Sequence, residues 1–489
     1  MKPRSALFYT FCFLLALLAL AVVGLIQAHI VQTRNLRRLV ILYTNDEHGW
    51  METTSQGGGA AGLMQQWMRR EGYQPNDPQY LVLSGGDMWT GAAISTYFDG
   101  RSTVAVMNAI GYDAAAIGNH DFDFGLEALR QRAAEAQFTL LSANIRDGKT
   151  DAIPDFARPY VILDANGIRL GIIGLTTTET PLDTQPATVA GLDFLPYKDA
   201  LQEFVPQVKA EGAELVLVIG HICGSEMRSL APLAHELGVA MIGGGHCHEQ
   251  IVSSDEDIVL VQAASNWTAY GVVELSFDTA AGRLVHAEAH LRRNPPGKSE
   301  PQIANIVADW RARLDAEMGE VIGYAKNTIP SDSDTMARFI TTAWLAADPS
   351  AQIALASPRY IQTLHPGPIT PATILSVLPT DNRLLRIELS GAQLAAVLQA
   401  RPALLGGLAP CGESYCLANG SPLDDHTLYR VLLPENLYHG GDHYDVQQYD
   451  RSPEDSGVDW RQALIAWLVS HKTSPSFPLE QALQQANTE

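Results

Sequence analysis

Between Leu39 and about Gln262 the chain repeats one pattern: a short unbroken apolar run, a glycine or polar stop, then a longer amphipathic stretch. The runs are Leu39–Tyr43, Tyr80–Ser84, Ala114–Ile117, Thr139–Ser142, Leu170–Gly174, Leu215–Ile219, Val239–Ile242 and Ile258–Gln262. Continuous apolar runs separated by helical segments predict strands covered by helices on both faces. A run such as Val216–Ile219 reads equally as buried helix by periodicity alone, but the stop after nearly every run favours strand. The expected fold class is therefore α/β: a layered sandwich of mixed sheets flanked by helices, followed by a second α/β domain.

The residues just past the strands carry the chemistry. Leu39–Tyr43 runs into Thr44-Asn45-Asp46-Glu47-His48-Gly49, and Tyr80–Ser84 into Gly85-Gly86-Asp87. Ala114–Ile117 runs into Gly118-Asn119-His120-Asp121, and Leu215–Ile219 into Gly220-His221. Val239–Ile242 runs into Gly243-Gly244-Gly245-His246-Cys247-His248. Carboxyl ends of strands line the ligand crevice of α/β sheets, so these carboxylate, imidazole and amide groups can converge. Each segment alone is a common turn; five in the same relation to strands point to a metal cluster.

Charge agrees with that reading. The formal net charge of -21 and the lack of a Lys/Arg cluster exclude a general binder of nucleic-acid polymers. An acidic chain that handles phosphate needs a local positive source, and bound metal supplies one.

The N-terminus differs from the rest. Lys2 and Arg4 precede an apolar run from Ala6 to Ile26, the pattern of an export signal. The run is long enough to span a bilayer, for which roughly 20 residues suffice. Ile26-Gln27-Ala28 is a passable cleavage site, but the length favours an uncleaved anchor. Residues 1–28 are thus a signal peptide or membrane anchor, and the folded part is expected to be periplasmic or extracellular. Export makes disulfides plausible among Cys223, Cys247, Cys411 and Cys416, with Cys411 and Cys416 the favoured pair and Cys223–Cys247 open.

Asn294-Pro295-Pro296-Gly297 is a breaker cluster and a boundary. The expected organisation is residues 36–295 as the first domain, 300–322 as a linker helix and 323–475 as the second domain. The polar tail after Lys472 is expected to be loose.

The strand-end motifs resemble those of the calcineurin-like metallophosphoesterases, and the two-domain layout resembles the 5'-nucleotidase family. The resemblance includes Gly174-Leu175-Thr176-Thr177 and Gly440-Gly441-Asp442. It implies one metal ion held by Asp46, His48 and His248, and a second held by Asn119, His221 and His246, with Asp87 bridging. It also implies that His120, oriented by Asp123, contacts the scissile phosphate and that the reaction is hydrolysis of a phosphate monoester, with a 5'-nucleotide as substrate. Four metal charges less two from Asp46 and Asp87 suit a dianionic phosphate, and the nitrogen–oxygen donor set suits Zn, Mn, Fe or Co. A thiolate role for Cys247 between two ligands is disfavoured, and Asp121 is expected to hold a motif histidine.

The second domain departs from the family pattern. Ala356-Ser357-Pro358-Arg359-Tyr360-Ile361 lacks the family's Gly-Gly-x-Arg, leaving Arg359 as a substitute, and the stacking aromatics reduce to Tyr444. Arg359 and Tyr444 are the expected substrate residues. Alternatives are a hydrolase of cyclic nucleotides, nucleotide sugars or a sulfur–sulfonate bond, or a membrane-tethered binding protein with a degraded pocket. Asn266-Trp267-Thr268 and Asn419-Gly420-Ser421 match glycosylation triplets, which arise often by chance.

Overall fold

The computed structural model describes residues 13–14 and 35–486, apart from 402, 413 and 419. The apolar run at 6–26 therefore lies almost wholly outside the described residues, as does Asn419 of the second triplet. No helix among the described residues is long and apolar enough to cross a membrane.

Two six-stranded sheets face each other. One runs, in spatial order, Arg283–Arg293, Ala269–Asp278, Leu36–Thr44, Tyr80–Ser84, Ala114–Ala116 and Thr139–Leu141. The other runs Gln250–Asp255, Ile258–Ala263, Val239–Gly243, Leu215–Gly220, Ile168–Leu175 and Tyr160–Ala165. In each sheet four adjacent strands run parallel and the remaining two pair antiparallel.

The alternation of side chains explains the layering. Leu39, Ile41 and Tyr43 point into the core between the sheets, with Leu215, Leu217 and Ile219 from the other side. Val40 and Leu42 point the opposite way, under helices that include Trp67 and Val104. Val216 and Val218 likewise face outward, under Leu201, Val205 and Leu230. A strand buried on both faces needs no polar alternation, which is why the runs are continuous. Each such Leu, Ile or Val contributes roughly 1.5–3 kcal/mol when fully buried.

All eight apolar runs from Leu39–Tyr43 to Ile258–Gln262 form strands. Three further strands, Tyr160–Ala165, Gln250–Asp255 and Arg283–Arg293, lie outside the expected set, although Tyr160-Val161-Ile162-Leu163 is itself an apolar run. All three are sheet edges with part of their surface exposed, and Gln250–Asp255 and Arg283–Arg293 accordingly mix polar and apolar residues.

The helix Pro301–Met318 leads to a five-stranded sheet ordered Leu404–Gly406, Ile353–Ala356, Leu428–Pro434, Arg383–Ser390 and Glu454–Asp459. Alternate residues feed two cores: Ala354, Leu384 and Leu432 on one face, Ile353, Leu385 and Val431 on the other. The expectation of a loose tail is corrected here. Leu479–Ala486 is a helix, and Leu479, Ala482 and Leu483, at spacings of three and four, are buried in that core.

The helix Pro371–Val377 docks the second unit on the first. Ala372 and Leu375 join the core formed by Trp89 and Ile94, and the amide of Ala93 donates to Ser376 Oγ at 2.9 Å. Disulfides join Cys411 to Cys416 and Cys223 to Cys247.

Candidate metal centre

The strand ends of both sheets meet at one edge of the sandwich. Asp46, Asp87, Asn119 and His221 are fully buried there, at 0–2 % exposure. Getting their side chains to converge demands unusual backbone. Asp46, His48, Asp87, His246 and His248 all have φ between 48° and 71°, the left-handed region that non-glycine residues rarely occupy. Neighbouring glycines clear the space. A Cβ on Gly118 would lie 2.1 Å from Asp87 Oδ1, and one on Gly245 would lie 3.0 Å from His221 Nδ1.

Hydrogen bonds set the histidine tautomers. His48 Nδ1 donates to the carbonyl of Thr90 at 2.8 Å, and His221 Nδ1 to that of Gly85 at 2.9 Å. Carbonyls only accept, so both rings carry a proton on Nδ1 and turn Nε2 toward the centre, where it can serve an ion. Those Nε2 atoms point at the carboxylates: His221 lies 3.0 Å from Asp87, and His48 lies 3.9 Å from both Asp46 and Asp87. His248 Nε2 is 3.3 Å from Asp46 and 3.2 Å from His48 Nε2.

These residues fit a pair of cations. Asn119 Oδ1 and His221 Nε2 are buried without a hydrogen-bond partner, a costly state unless another group satisfies them. Among the described residues no Lys or Arg pairs with Asp46 or Asp87. Without an ion the carboxylates draw a proton instead: burial opposes charge on His221, yet Asp87 and Asp46 outweigh it and lift its pKa to about 9, so the site calls for positive charge that a cation would supply in the proton's place. Burial pushes His48 down to about 4, which keeps it neutral as a ligand must be. Asp46, His48 and His248 form one donor group; Asp46, Asp87 and His221 form another.

His120 stands beside the donors. Its Nδ1 is 2.8 Å from Asp123 Oδ2, and its amide donates to Asp87 Oδ1 at 2.8 Å. Asp123 is held in turn by the Thr184 hydroxyl at 2.7 Å. Burial would lower the His120 pKa, but Asp123 and Asp87 raise it to about 10.

Known proteins share this layout of a metallophosphoesterase sandwich with such an edge, followed by a smaller α/β unit. Residues 292–409 match the family model described as the 5'-nucleotidase C-terminal domain. The protein UshA of Yersinia enterocolitica is 27% identical over 476 residues, covering 83% of this chain and 86% of that protein. Over both of its units the chain is similar to 5'-nucleotidases. A 5'-nucleotidase of Diplobatis ommata is 30% identical over 321 residues, 58% of this chain and only 54% of the relative's length. The crystal structure of a 5'-nucleotidase precursor from Thermus thermophilus superposes with a TM-score of 0.75 at 24% identity, covering 89% of this chain and 97% of that one. The chain thus has the fold of the solved 5'-nucleotidases, and it spans about half the length of the Diplobatis relative.

Around that centre lies a cleft of about 400 Å³ shared by both domains. It contains His48, Asp87, Asn119, His120, His246 and His248, and Arg359 from the second domain. Sequence reasoning missed several of its walls: Trp50, Thr90, Asp183, Asn266, Tyr360 and Thr380. Asp183 Oδ2 lies 3.5 Å from His246 Nε2, so the structure pairs His246 with a carboxylate from the turn after Gly174-Leu175-Thr176-Thr177. That turn carries no histidine and gave no metal-like signal. Thr176 serves the scaffold, bonding the carbonyl of Ile117 at 2.7 Å and the hydroxyl of Ser142 at 2.9 Å.

Two expectations, those for Asp121 and Tyr444, need correction, whereas Cys247 is no thiolate ligand, as expected. Asp121 holds no histidine; it accepts the backbone amides of Asp87, Met88 and Gly118 at 2.8–3.1 Å and so shapes the bridging loop. Cys247 is in a disulfide that ties the His221 loop to the loop of His246 and His248, which removes its thiolate. Tyr444 is 1 % exposed among Leu385, Val431 and Leu437, and so has no face open to a nucleobase. Tyr444→Ala is expected to cost about 3–5 kcal/mol of stability, as for other buried aromatics, measured by chemical denaturation. A specific rise in nucleotide KM without loss of stability would restore the ring to the binding site. Arg359, by contrast, opens on the cleft while its guanidinium reaches Asp442 at 3.3 Å.

Proposed function

We propose that the protein hydrolyses phosphate monoesters, 5'-nucleotides foremost, outside the cytoplasm, with Asp46, His48 and His248 holding one divalent ion, Asn119, His221 and His246 the other, and Asp87 bridging. The observation that carries this reading is the buried, unpartnered Oδ1 of Asn119 beside two buried carboxylates, Asp46 and Asp87, that face the Nε2 atoms of histidines and, among the described residues, pair with no Lys or Arg. Two divalent ions bound there supply the positive charge that a phosphate dianion needs and an activated water nucleophile.

The rest is done by side chains. His120, kept protonated by Asp123 and Asp87, faces the cleft and donates to the phosphoryl group or the leaving oxygen. Thr184 and Asp123 hold that ring so that little reorganisation is needed at the moment of reaction. The second domain brings Arg359 and Tyr360 to the opposite wall, where Arg359 adds a second cation for the substrate. Division at 36–295, 300–322 and 323–475 assigns the ligands to the first domain and this wall to the second. Lys2, Arg4 and the apolar run to Ile26 support export with a membrane tether.

Metal removal tests the reading. Chelator-treated protein is expected to lose hydrolysis of a nucleoside 5'-monophosphate, and to recover it when two equivalents of Zn, Mn, Co or Fe(II) are restored. Binding of two ions, counted by elemental analysis, should accompany recovery. Full turnover by protein shown to be metal-free would overturn it.

A further inference from the structure

We propose that Cys223 and Cys247 are a positioning pair whose disulfide acts as a redox-controlled clamp on the metal centre. The centre holds both ions while the bond is formed and gives up at least one when it is reduced, so hydrolysis is confined to an oxidising compartment. The inference rests on the two-metal phosphomonoesterase reading and adds when that centre becomes competent.

Position decides what the bond controls. The strand Leu215–Gly220 delivers His221, and Cys223 follows two residues later as the N-terminal cap of the helix Gly224–Glu236. The neighbouring strand Val239–Gly243 leads to His246 and His248, and Cys247 stands between them. The bond therefore joins, across 24 residues of sequence, two loops that carry three of the proposed ligands. His221 and His246 are assigned to one ion together with Asn119, so that ion depends on the bond most. Cys411–Cys416 supplies the contrast. Those cysteines are 5 residues apart on the strands Leu408–Cys411 and Ser414–Leu417, which already pair through their backbones, and neither lines the cleft.

Backbone strain explains why the loop needs a clamp. His246 and His248, on either side of Cys247, have φ of 71° and 54°. Left-handed residues of this kind persist only where their surroundings over-determine them. Two amides cross between the loops: Gly245 donates to the carbonyl of Ile222 at 3.0 Å, and Gly224 to Glu249 Oε2 at 2.9 Å. Gly245 and Glu249 flank the ligand segment, whereas the disulfide holds its middle. Ions bind only the arranged loop, so their apparent affinity falls with the fraction of molecules in that arrangement. Freeing Cys247 lowers that fraction.

Access makes the bond responsive. Cys247 is exposed and lines the cleft, which opens the bond to a small thiol. Exchange with a dithiol leaves two cysteine thiols and converts the reductant to its own disulfide. Cytosolic thiol pools keep such pairs reduced, and oxidising compartments keep them bonded. The chain is accordingly short of metal before export and completes its centre afterwards.

Ion retention tests this without relying on turnover. A water-soluble phosphine reduces the bond and becomes its oxide, water supplying the oxygen, and it brings no thiol to compete for metal. At a fixed free Mn concentration, elemental analysis should find two ions on oxidised protein and fewer on reduced protein. The apparent Kd of the weaker ion should rise roughly 10–100-fold, the range for groups that hold metal ligands in place. Reoxidation should restore both ions. Cys223→Ser/Cys247→Ser should match the reduced protein, while Cys411→Ser/Cys416→Ser keeps two ions until it is reduced. Circular dichroism shows whether each species is folded. Folded, reduced wild type that binds both ions as tightly as before, on the original donors or on Cys247 Sγ, overturns the proposal. Global unfolding on reduction also overturns it, because the bond would then hold the fold and not the centre. Oxidised protein that binds no ion overturns both readings. Protein that loses an ion on reduction yet, when oxidised, hydrolyses no phosphate ester overturns the phosphomonoesterase reading and leaves the clamp standing.

Discussion

Asp87→Asn is expected to lower kcat/KM for phosphate esters at least about 10³-fold and to reduce bound metal below two ions per chain. Asp87 is the carboxylate nearest the middle of the donor set, 3.0 Å from His221 Nε2 and 3.9 Å from His48 Nε2. Loss of its charge removes several kcal/mol of stabilisation from the centre, and about 1.4 kcal/mol corresponds to tenfold in rate. Asparagine is the informative replacement. It keeps the shape, accepts the His120 amide bond and tolerates the left-handed φ of 59° better than alanine would. Elemental analysis and turnover of the folded variant check this, and a variant with two ions and near-normal turnover would remove Asp87 from the bridge.

His120→Asn should lower kcat by roughly 10²–10⁴-fold with metal content unchanged. The ring contacts Asp123 and the cleft, and neither of its nitrogens pairs with Asp46 or His248. Its pKa of about 10 keeps it charged across neutral pH, against about 6.5 for a free imidazole. A rate that depends on this proton should therefore fall only as pH rises toward 10, and Asp123→Asn should move that fall to lower pH. Loss of an ion from the His120→Asn protein would instead place His120 among the ligands.

The strands, the fold class and the donor residues were legible in sequence for one physical reason. A strand buried on both faces must be continuously apolar, and a functional group at its end must interrupt that run abruptly. Leu39–Tyr43 followed by Asp46 and His48 shows both at once. Edge strands such as Gln250–Asp255 lacked the first signal because one side meets solvent. The helix Leu479–Ala486 was hidden because three apolar residues in a polar tail mean little until a core waits for them.

By itself the sequence determined which residue types arrive at the sheet edge, since local pattern sets strands and their ends. Only the tertiary structure decided what stands opposite them. Asp183 reaches His246 across 63 residues of chain, and Trp50 becomes a wall of the cleft only when the second domain supplies Arg359 and Gln362. Tyr444 shows the converse. Its neighbours in sequence, Gly440-Gly441-Asp442, suggested a binding loop, but the sheet face beneath it buries the ring. Such contacts depend on packing between distant segments, and no local periodicity records which side of a loop will meet solvent, ligand or core.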